Sequence, residues 1–207
     1  MIEFFTSAYQ NVSILDISLE IIVFVFGILS VYFARKENIL VYPTGLVATI
    51  LTVYLLYKAK YMADMAINFY YSVMSIYGWY MWSKKGQDNK SIVISRTSVN
   101  QKIIGVLLFT LTIIVTFTLY KIFGVALNSE NYIDIFTSGI FFTAMWYMAL
   151  KKIENWTLWI LGDIIVIPLY AYRGLGILSA QYLIFTILAI MGYLEWKKQL
   201  DKKKHQS

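Results

Sequence analysis

The sequence predicts an all-α integral membrane protein of seven transmembrane helices, built as two parallel three-helix repeats joined by a linker helix. Three observations predict it. The chain is 59% hydrophobic and 14% charged, with a mean hydropathy of +0.62, against roughly 25% charged residues in an ordinary soluble domain. Seven apolar runs, at 18–34, 39–57, 62–82, 103–123, 132–150, 156–172 and 176–196, match the length that a bilayer core demands. Landmarks of the first three runs also recur in the last three.

The first fifteen residues are mixed in polarity, with no basic stretch ahead of an apolar one, so the first run reads as a retained span. It carries Glu20 near its outer end. In the second, Tyr42 precedes Pro43. The third places Asp64, Asn68, Tyr71, Ser75 and Trp82 at spacings of four, three, four and seven, hence on one helical face, with Ser72 and Trp79 alongside. A polar stripe at membrane depth must face protein or water. Ser72 and Ser75 suit interhelical hydrogen bonds as well as ligand contact, whereas Asn68 and Tyr71, at mid-span, are the better ligand candidates. The fourth run holds threonines and no ionisable residue between its ends, as a linker helix would. The fifth carries Asp134 near its outer end and Trp146, a weaker aromatic candidate.

In the sixth run Trp156, Trp159 and Asp163 step by three and four along one side of the helix. Trp156, near the inner end, is also placed as an interface anchor. A carboxylate one to two turns into a span costs several kcal/mol unless paired or hydrated, which marks Asp163 as a functional candidate. Its partner is then water, a hydroxyl or amide such as Thr44 or Asn68, or a cationic substrate; the alternative is a helix-to-helix hydrogen bond. Pro168 is placed to bend this helix. In the seventh run Gln181 and Tyr182 stand at the level of Ile67 and Asn68 and complete a pocket between the halves. Glu195 lies beside Lys197 and Lys198.

The repeat is read from two pairs of motifs. "YGWYMWSKK" (77–85) and "MGYLEWKK" (191–198) align Gly78 and Trp82 with Gly192 and Trp196, 114 residues apart. "RKENILVYPTG" (35–45) and "KKIENWTLWILG" (151–162) align Glu37, Asn38 and Gly45 with Glu154, Asn155 and Gly162, 117 residues apart, the difference being assigned to the loop around Gly174 and Gly176. The expected units are a first repeat at 18–82, an inner loop and linker helix at 83–131, a second repeat at 132–196 and a basic tail at 197–207. A three-span unit followed directly by its copy would insert upside down, and the fourth helix restores a common direction. Parallel repeats are one of the transporter plans, with the substrate site near mid-depth between the halves.

Of the eighteen lysines and arginines, fourteen fall in segments on one side if the spans are seven. The positive-inside rule then puts the N-terminus outside and the C-terminus in the cytoplasm. These charges flank apolar runs and form no broad basic surface, so the net charge of +6 points to topology and not to nucleic acid. The polar, basic loop at 83–101 is expected on the inner leaflet. There is no cysteine, and the one histidine, His205, lies in the tail. Thiolate nucleophiles and sulfur-ligated metals are therefore excluded, and neither a cofactor nor an enzymatic activity is expected.

The "GWYMW" block, "ENWTLW" followed by Asp163, "PLYAYRGL" and the closing "GYLEWKK" together resemble the PnuC family of bacterial vitamin transporters, over residues 18–198. The resemblance implies a SWEET-like 3+1+3 architecture in the bacterial plasma membrane and import of nicotinamide riboside without an attached ATPase. Thiamine and riboflavin are the substrates of related subfamilies. It implies a substrate pocket of Asn68, Tyr71, Trp156, Trp159, Asp163 and Gln181, which Tyr182 joins by its level in the seventh span. Where many relatives have tryptophan before the proline of the second span, this chain has Tyr42. Facilitated diffusion is expected, made net inward by a cytoplasmic kinase, in a homo-oligomer for which a trimer is one arrangement.

Overall fold

A computed structural model describes residues 13–84 and 92–204. The first twelve residues, loop residues 85–91 with Lys85 and Lys90, the end of the tail with His205, and the side chains of Lys203 and Lys204 lie outside the described residues. Seven α-helices follow in order: α1 (Ile14–Arg35), α2 (Val41–Lys58), α3 (Met62–Ser83), α4 (Val99–Ile122), α5 (Ser129–Ala149), α6 (Glu154–Tyr172) and α7 (Gly176–Lys204). Each predicted span falls on one of them. Four of the helices, α1, α2, α4 and α7, are each long and apolar enough to cross a membrane on their own. The other three carry much of the buried polar content, with Ser72 and Ser75 on α3 and Asn155 and Asp163 on α6, and α5 buries a continuous stretch from Thr137 to Ala144. The protein is a multi-pass, all-helical membrane protein. Helix α7 runs 29 residues and carries the basic tail as helix beyond the span predicted to end at 196.

Local chemistry sets the helix ends. Ser98 opens α4 with a capping box: its hydroxyl accepts from the Gln101 amide, and the Gln101 side chain accepts from the Ser98 amide. Left-handed residues close four other helices, namely Glu37 after α1, Lys60 after α2, Lys151 after α5 and Gly174 after α6. At each one the next amide reaches back to a carbonyl five residues earlier, as in Asn38 N to Phe33 O at 2.9 Å and Lys152 N to Tyr147 O at 2.8 Å.

Helices α1, α2, α3, α5, α6 and α7 pack in a ring, each against the next, with α7 returning to α1; α4 stands outside it, against α5 and more lightly α3. Residues 114 apart occupy matching places around this ring. Glu37 matches Lys151 and Lys60 matches Gly174 in backbone conformation. The Tyr42 ring meets Trp82 edge-on, at 5.2 Å and 89°, as Trp156 meets Trp196, at 5.4 Å and 85°. A Cβ on Gly78 would collide with the Tyr42 ring, and one on Gly192 with the Trp156 ring, so these two glycines admit the aromatic side chains. The Trp82 indole donates to Met148 O at 3.1 Å and the Trp196 indole to Arg35 O at 3.2 Å.

One spacing of 114 therefore holds at both helix ends and interior, which corrects the 117-residue alignment of the Glu-Asn motifs. The matching place of Glu37 is Lys151, not Glu154. No three-residue adjustment falls in the α6–α7 turn, because Tyr61 N to Leu56 O and Leu175 N to Tyr170 O close the two turns alike.

The end of the bundle that carries Arg35, Lys84 and Lys151 is its basic end. There Glu195 pairs with Arg35 at 2.7 Å and Lys36 at 3.4 Å on α1, and not with its neighbours Lys197 and Lys198. Lys151 pairs with Glu37 at 3.1 Å and sits over the Trp82 ring. The described part of the α3–α4 connection packs on the bundle itself. Ser95 exchanges backbone hydrogen bonds with Lys151 and Ile153, and Ile94, 2% exposed, inserts into the cluster of Trp82, Met148, Ile153 and Trp196.

Candidate functional site

The ring encloses a cavity of about 240 Å³, lined by all six of its helices and not by α4. The sequence of each helix explains its contribution. Helix α3 turns its polar stripe inward, so Asn68, Tyr71 and Ser75 reach the wall. The stripe then divides. Ser72 donates to Thr49 Oγ1 at 2.9 Å and to Asn68 O at 3.1 Å, which ties α3 to α2. Trp82 is buried at the basic end, and Trp79, 40% exposed, points away from the ring. Asp64 accepts from the Tyr120 hydroxyl of α4 at 3.0 Å.

All seven residues singled out in the sequence, Asn68, Tyr71, Trp156, Trp159, Asp163, Gln181 and Tyr182, line this one cavity. Asp163 is 1% exposed, and neither of its carboxylate oxygens has a hydrogen-bond partner among the described residues. The two partners named for it are engaged elsewhere. Thr44 donates to Leu40 O at 2.6 Å, and the Asn68 amide to Asp64 O at 3.0 Å. No helix-to-helix bond from Asp163 appears among the described residues either. Trp156 is 1% exposed and so is no interface anchor; its indole N–H, like the Tyr42 hydroxyl, is buried without a partner among the described residues. Buried polar groups in native proteins are nearly always paired with protein or ordered water. Three such groups around one cavity, Tyr42 on α2 and Trp156 and Asp163 on α6, mark it as a candidate site for a polar guest.

The walls are unequal. Around α5, α6 and α7 stand Phe141, Trp156, Trp159, Tyr182 and Phe185 with Asp163. Phe141 stacks on Trp159 at 5.3 Å and on Tyr182 at 6.1 Å. Of the places 114 residues earlier, four hold small or polar groups, Gly27 for Phe141, Gly45 for Trp159, Thr49 for Asp163 and Asn68 for Tyr182, and two hold tyrosines, Tyr42 for Trp156 and Tyr71 for Phe185; all six line the cavity too. Ser30, Thr52 and Ser75 add hydroxyls on that side. The α5–α7 half thus offers more aromatic faces, a carboxylate and the Gln181 amide, and the α1–α3 half offers hydroxyls, the Asn68 amide and two tyrosines.

Sequence reasoning missed Phe141, Phe185 and Thr49. Single aromatics in an apolar helix look like packing, and only the 114-residue register, which places Phe141 opposite Gly27 and Phe185 opposite Tyr71, would have drawn them in. Trp146 does not line the cavity and lies against Tyr147. Tyr42, left open as a subsite, does line it.

The sequence pattern of the nicotinamide mononucleotide transporter family matches residues 17–198. The nicotinamide riboside transporter PnuC of Escherichia coli (strain K12) is 23% identical over 193 residues, covering 82% of this chain and 81% of that protein. The riboflavin/roseoflavin transporter RibM of Streptomyces davaonensis is 26% identical over 128 residues, covering 59% of this chain and 58% of that protein. A crystal structure of the vitamin B3 transporter PnuC superposes with a TM-score of 0.70 at 25% identity, covering 89% of this chain and 82% of that one.

Proposed function

This chain belongs to the nicotinamide mononucleotide transporter family, that of the PnuC vitamin transporters, and from that membership we propose that it imports nicotinamide riboside. The observation that carries the proposal is the unequal cavity. Nicotinamide riboside is a flat pyridinium cation bearing a ribose. The ring stacks against Trp159, Trp156 and Tyr182, gaining cation–π contact of about 2 kcal/mol per desolvated face. Asp163 supplies the negative charge, and Asn68, Gln181 and Tyr71 bond the carboxamide and the sugar.

A second reading, riboflavin, is favoured by the likeness to RibM. The cavity weighs against it: about 240 Å³ lies below the roughly 300–1,000 Å³ usual for ligand pockets, which suits one ring with a sugar better than three fused rings. Thiamine, also a flat cation, fits the same chemistry. Calorimetry of the purified protein with nicotinamide riboside, thiamine, riboflavin and their phosphates decides among them. Binding of the riboside and rejection of phosphates is the expected result; riboflavin as the tightest ligand would transfer the assignment.

The working architecture is two parallel three-helix repeats, 18–82 and 132–196, joined through 83–131, with the tail at 197–207 in the cytoplasm and the N-terminus outside. The common spacing of 114 supports it, and so does the crossed packing of α1 on α7 and α3 on α5. The repeats rock about the cavity to open it to each side in turn. Transport is facilitated diffusion, made net inward by cytoplasmic phosphorylation, in a homo-oligomer, with a trimer as the working number. If vesicles without kinase or ATP concentrated the substrate, and an ionophore abolished this, ion coupling through Asp163 would replace the uniport.

A further inference from the structure

A second cavity, of about 640 Å³, lies between α1, α2 and α7 at the end opposite the basic loops. Asp16 on its wall is held by Lys58 at 2.6 Å. Glu20, one turn deeper, makes no hydrogen bond or ion pair among the described residues. Gln181 borders both this cavity and the central one; it is 7% exposed and likewise lacks a side-chain partner among the described residues. Facing it, Gly27 lets the Gln181 side chain lie close against α1, since a Cβ there would stand 3.0 Å from the Gln181 amide nitrogen.

The matching place 114 residues away is closed. Glu130 stands for Asp16 and Asp134 for Glu20, and Arg173 binds both, at 2.8 and 2.7 Å. Asp64 stands for Leu178 and is covered by Tyr120 of α4. Ala63, Tyr120 and Ile135 fill the remaining space with apolar side chains. Among the described residues, helix α4 has no counterpart across the ring. Among the described residues, two similar clefts therefore become one open cleft and one sealed cleft, and the open one keeps an acid without a partner.

We propose that the α1–α2–α7 cleft is the outer portal of the transport path, with Glu20 as the carboxylate that draws a cationic substrate in and Gln181 as the partition it passes. The proposal rests on the reading of the central cavity as a site for a flat cation. A carboxylate in a cleft walled by apolar helices focuses its field, because little water screens it, and raises the local concentration of cations.

The chain has no cysteine, so Ile177→Cys and Ala63→Cys each place a single thiol at matching positions of the open and the sealed cleft. Intact cells receive a membrane-impermeant anionic thiosulfonate, and nicotinamide riboside uptake by each variant is compared before and after treatment. Ile177→Cys is expected to react, to lose most of its uptake, and to react more slowly when the riboside is present; Ala63→Cys is expected not to react. Equal reaction at both positions, no reaction at Ile177→Cys, or full reaction with uptake intact would overturn the portal. In a second measurement, Glu20→Gln lowers the initial uptake rate roughly tenfold at low ionic strength and less at high salt. Its calorimetric Kd on purified protein stays within about twofold, since a charge remote from the bound ligand acts on entry. An uptake rate unchanged at every salt concentration would count against Glu20. Wild-type protein that fails to bind the riboside in calorimetry defeats the substrate reading; protein that binds and carries it, with uptake indifferent to labelling at Ile177→Cys, defeats the portal alone.

Discussion

Asp163 is where stability and function pull apart. A carboxylate that is 1% exposed and without a partner among the described residues burdens the empty protein, because an ionised group buried unpaired costs several kcal/mol. Asp163→Asn removes the charge with little change of shape. The empty variant should therefore melt higher than wild type, while its affinity for nicotinamide riboside should fall roughly 10- to 100-fold, the worth of one charge-assisted contact of about 1.5–3 kcal/mol. Thermal denaturation and calorimetry on the same preparation read both signs; a lower melting point with unchanged affinity would make Asp163 a structural residue. Trp159→Ala gives a different pattern. It deletes a ring stacked on Phe141, so stability falls by about 3 kcal/mol together with binding. Asp163 was legible in the sequence because an acid at membrane depth has no ordinary reason to be there. Thr49 and Phe141 were not, because hydroxyls and aromatics in apolar helices have several.

Among the elements, the helices were legible and the connection between α3 and α4 was not. Seven apolar runs of bilayer length leave little freedom, and the observed helix ends lie within four residues of them, except that α7 continues eight residues past 196 to Lys204. The loop carried only polarity and charge, which suggested a surface segment. Its one informative residue, Ile94, is an isolated isoleucine whose partners Trp82, Met148 and Ile153 come from distant parts of the chain, and local periodicity cannot encode such a contact. Ile94→Ala should lower stability by about 2–4 kcal/mol, the cost of emptying a packed apolar site. Hydrogen exchange should rise at Ser95 and Ile153, whose amides bond Lys151 O and Ser95 O at 3.1 and 3.0 Å. Exchange that stays at the wild-type rate there would mean that the backbone bridge, and not the side chain, holds the loop. Gly192→Ala tests the ring of helices in the same way: a methyl driven into the Trp156 ring displaces an indole from the cavity wall, at a cost of about 1–3 kcal/mol. The register error has a physical origin too. Glu-Asn recurs before α2 and inside the start of α6, but backbone conformation follows the left-handed Glu37 and Lys151, and such residues leave no reliable mark in composition.

For the whole molecule, the ties between helices are distributed unevenly along the membrane normal. At the basic end they cross between the first three helices and the last three: Arg35 and Lys36 hold Glu195, Glu37 holds Lys151, and the Trp82 and Trp196 indoles each bond a carbonyl of the other group. At the opposite end the ion pairs stay within a hairpin, Asp16 with Lys58 across α1 and α2, and Arg173 with Glu130 and Asp134 beside α5 and α6. Among the described residues, the proposed rocking would have to break ion pairs between the halves at the basic end but only the apolar packing of Ala63 against Ile135 at the other, so under the proposed topology this arrangement is the one closed towards the cytoplasm. The crossing ion pairs are partly exposed, with side chains 11% and 24% accessible for Lys151 and Glu37 and 14% and 33% for Arg35 and Glu195. Each then contributes only about 0.5–1 kcal/mol after screening. Removing both in a Glu37→Gln, Glu195→Gln variant should shift the balance between the two closures by about 1–2 kcal/mol, or roughly 5- to 30-fold in population. The shift should favour opening at the basic end, because the hairpin pairs at the other end are untouched. Spin labels at the exposed Leu40 and Lys198, which lie in opposite halves at that end, report the separation directly. A longer-distance population that grows in the double variant and shrinks again in high concentrations of riboside is the expected result. An unchanged distance distribution would show that the buried tryptophan bonds, and not the charges, set the closure, and Trp82→Phe with Trp196→Phe would then be the pair whose removal opens it.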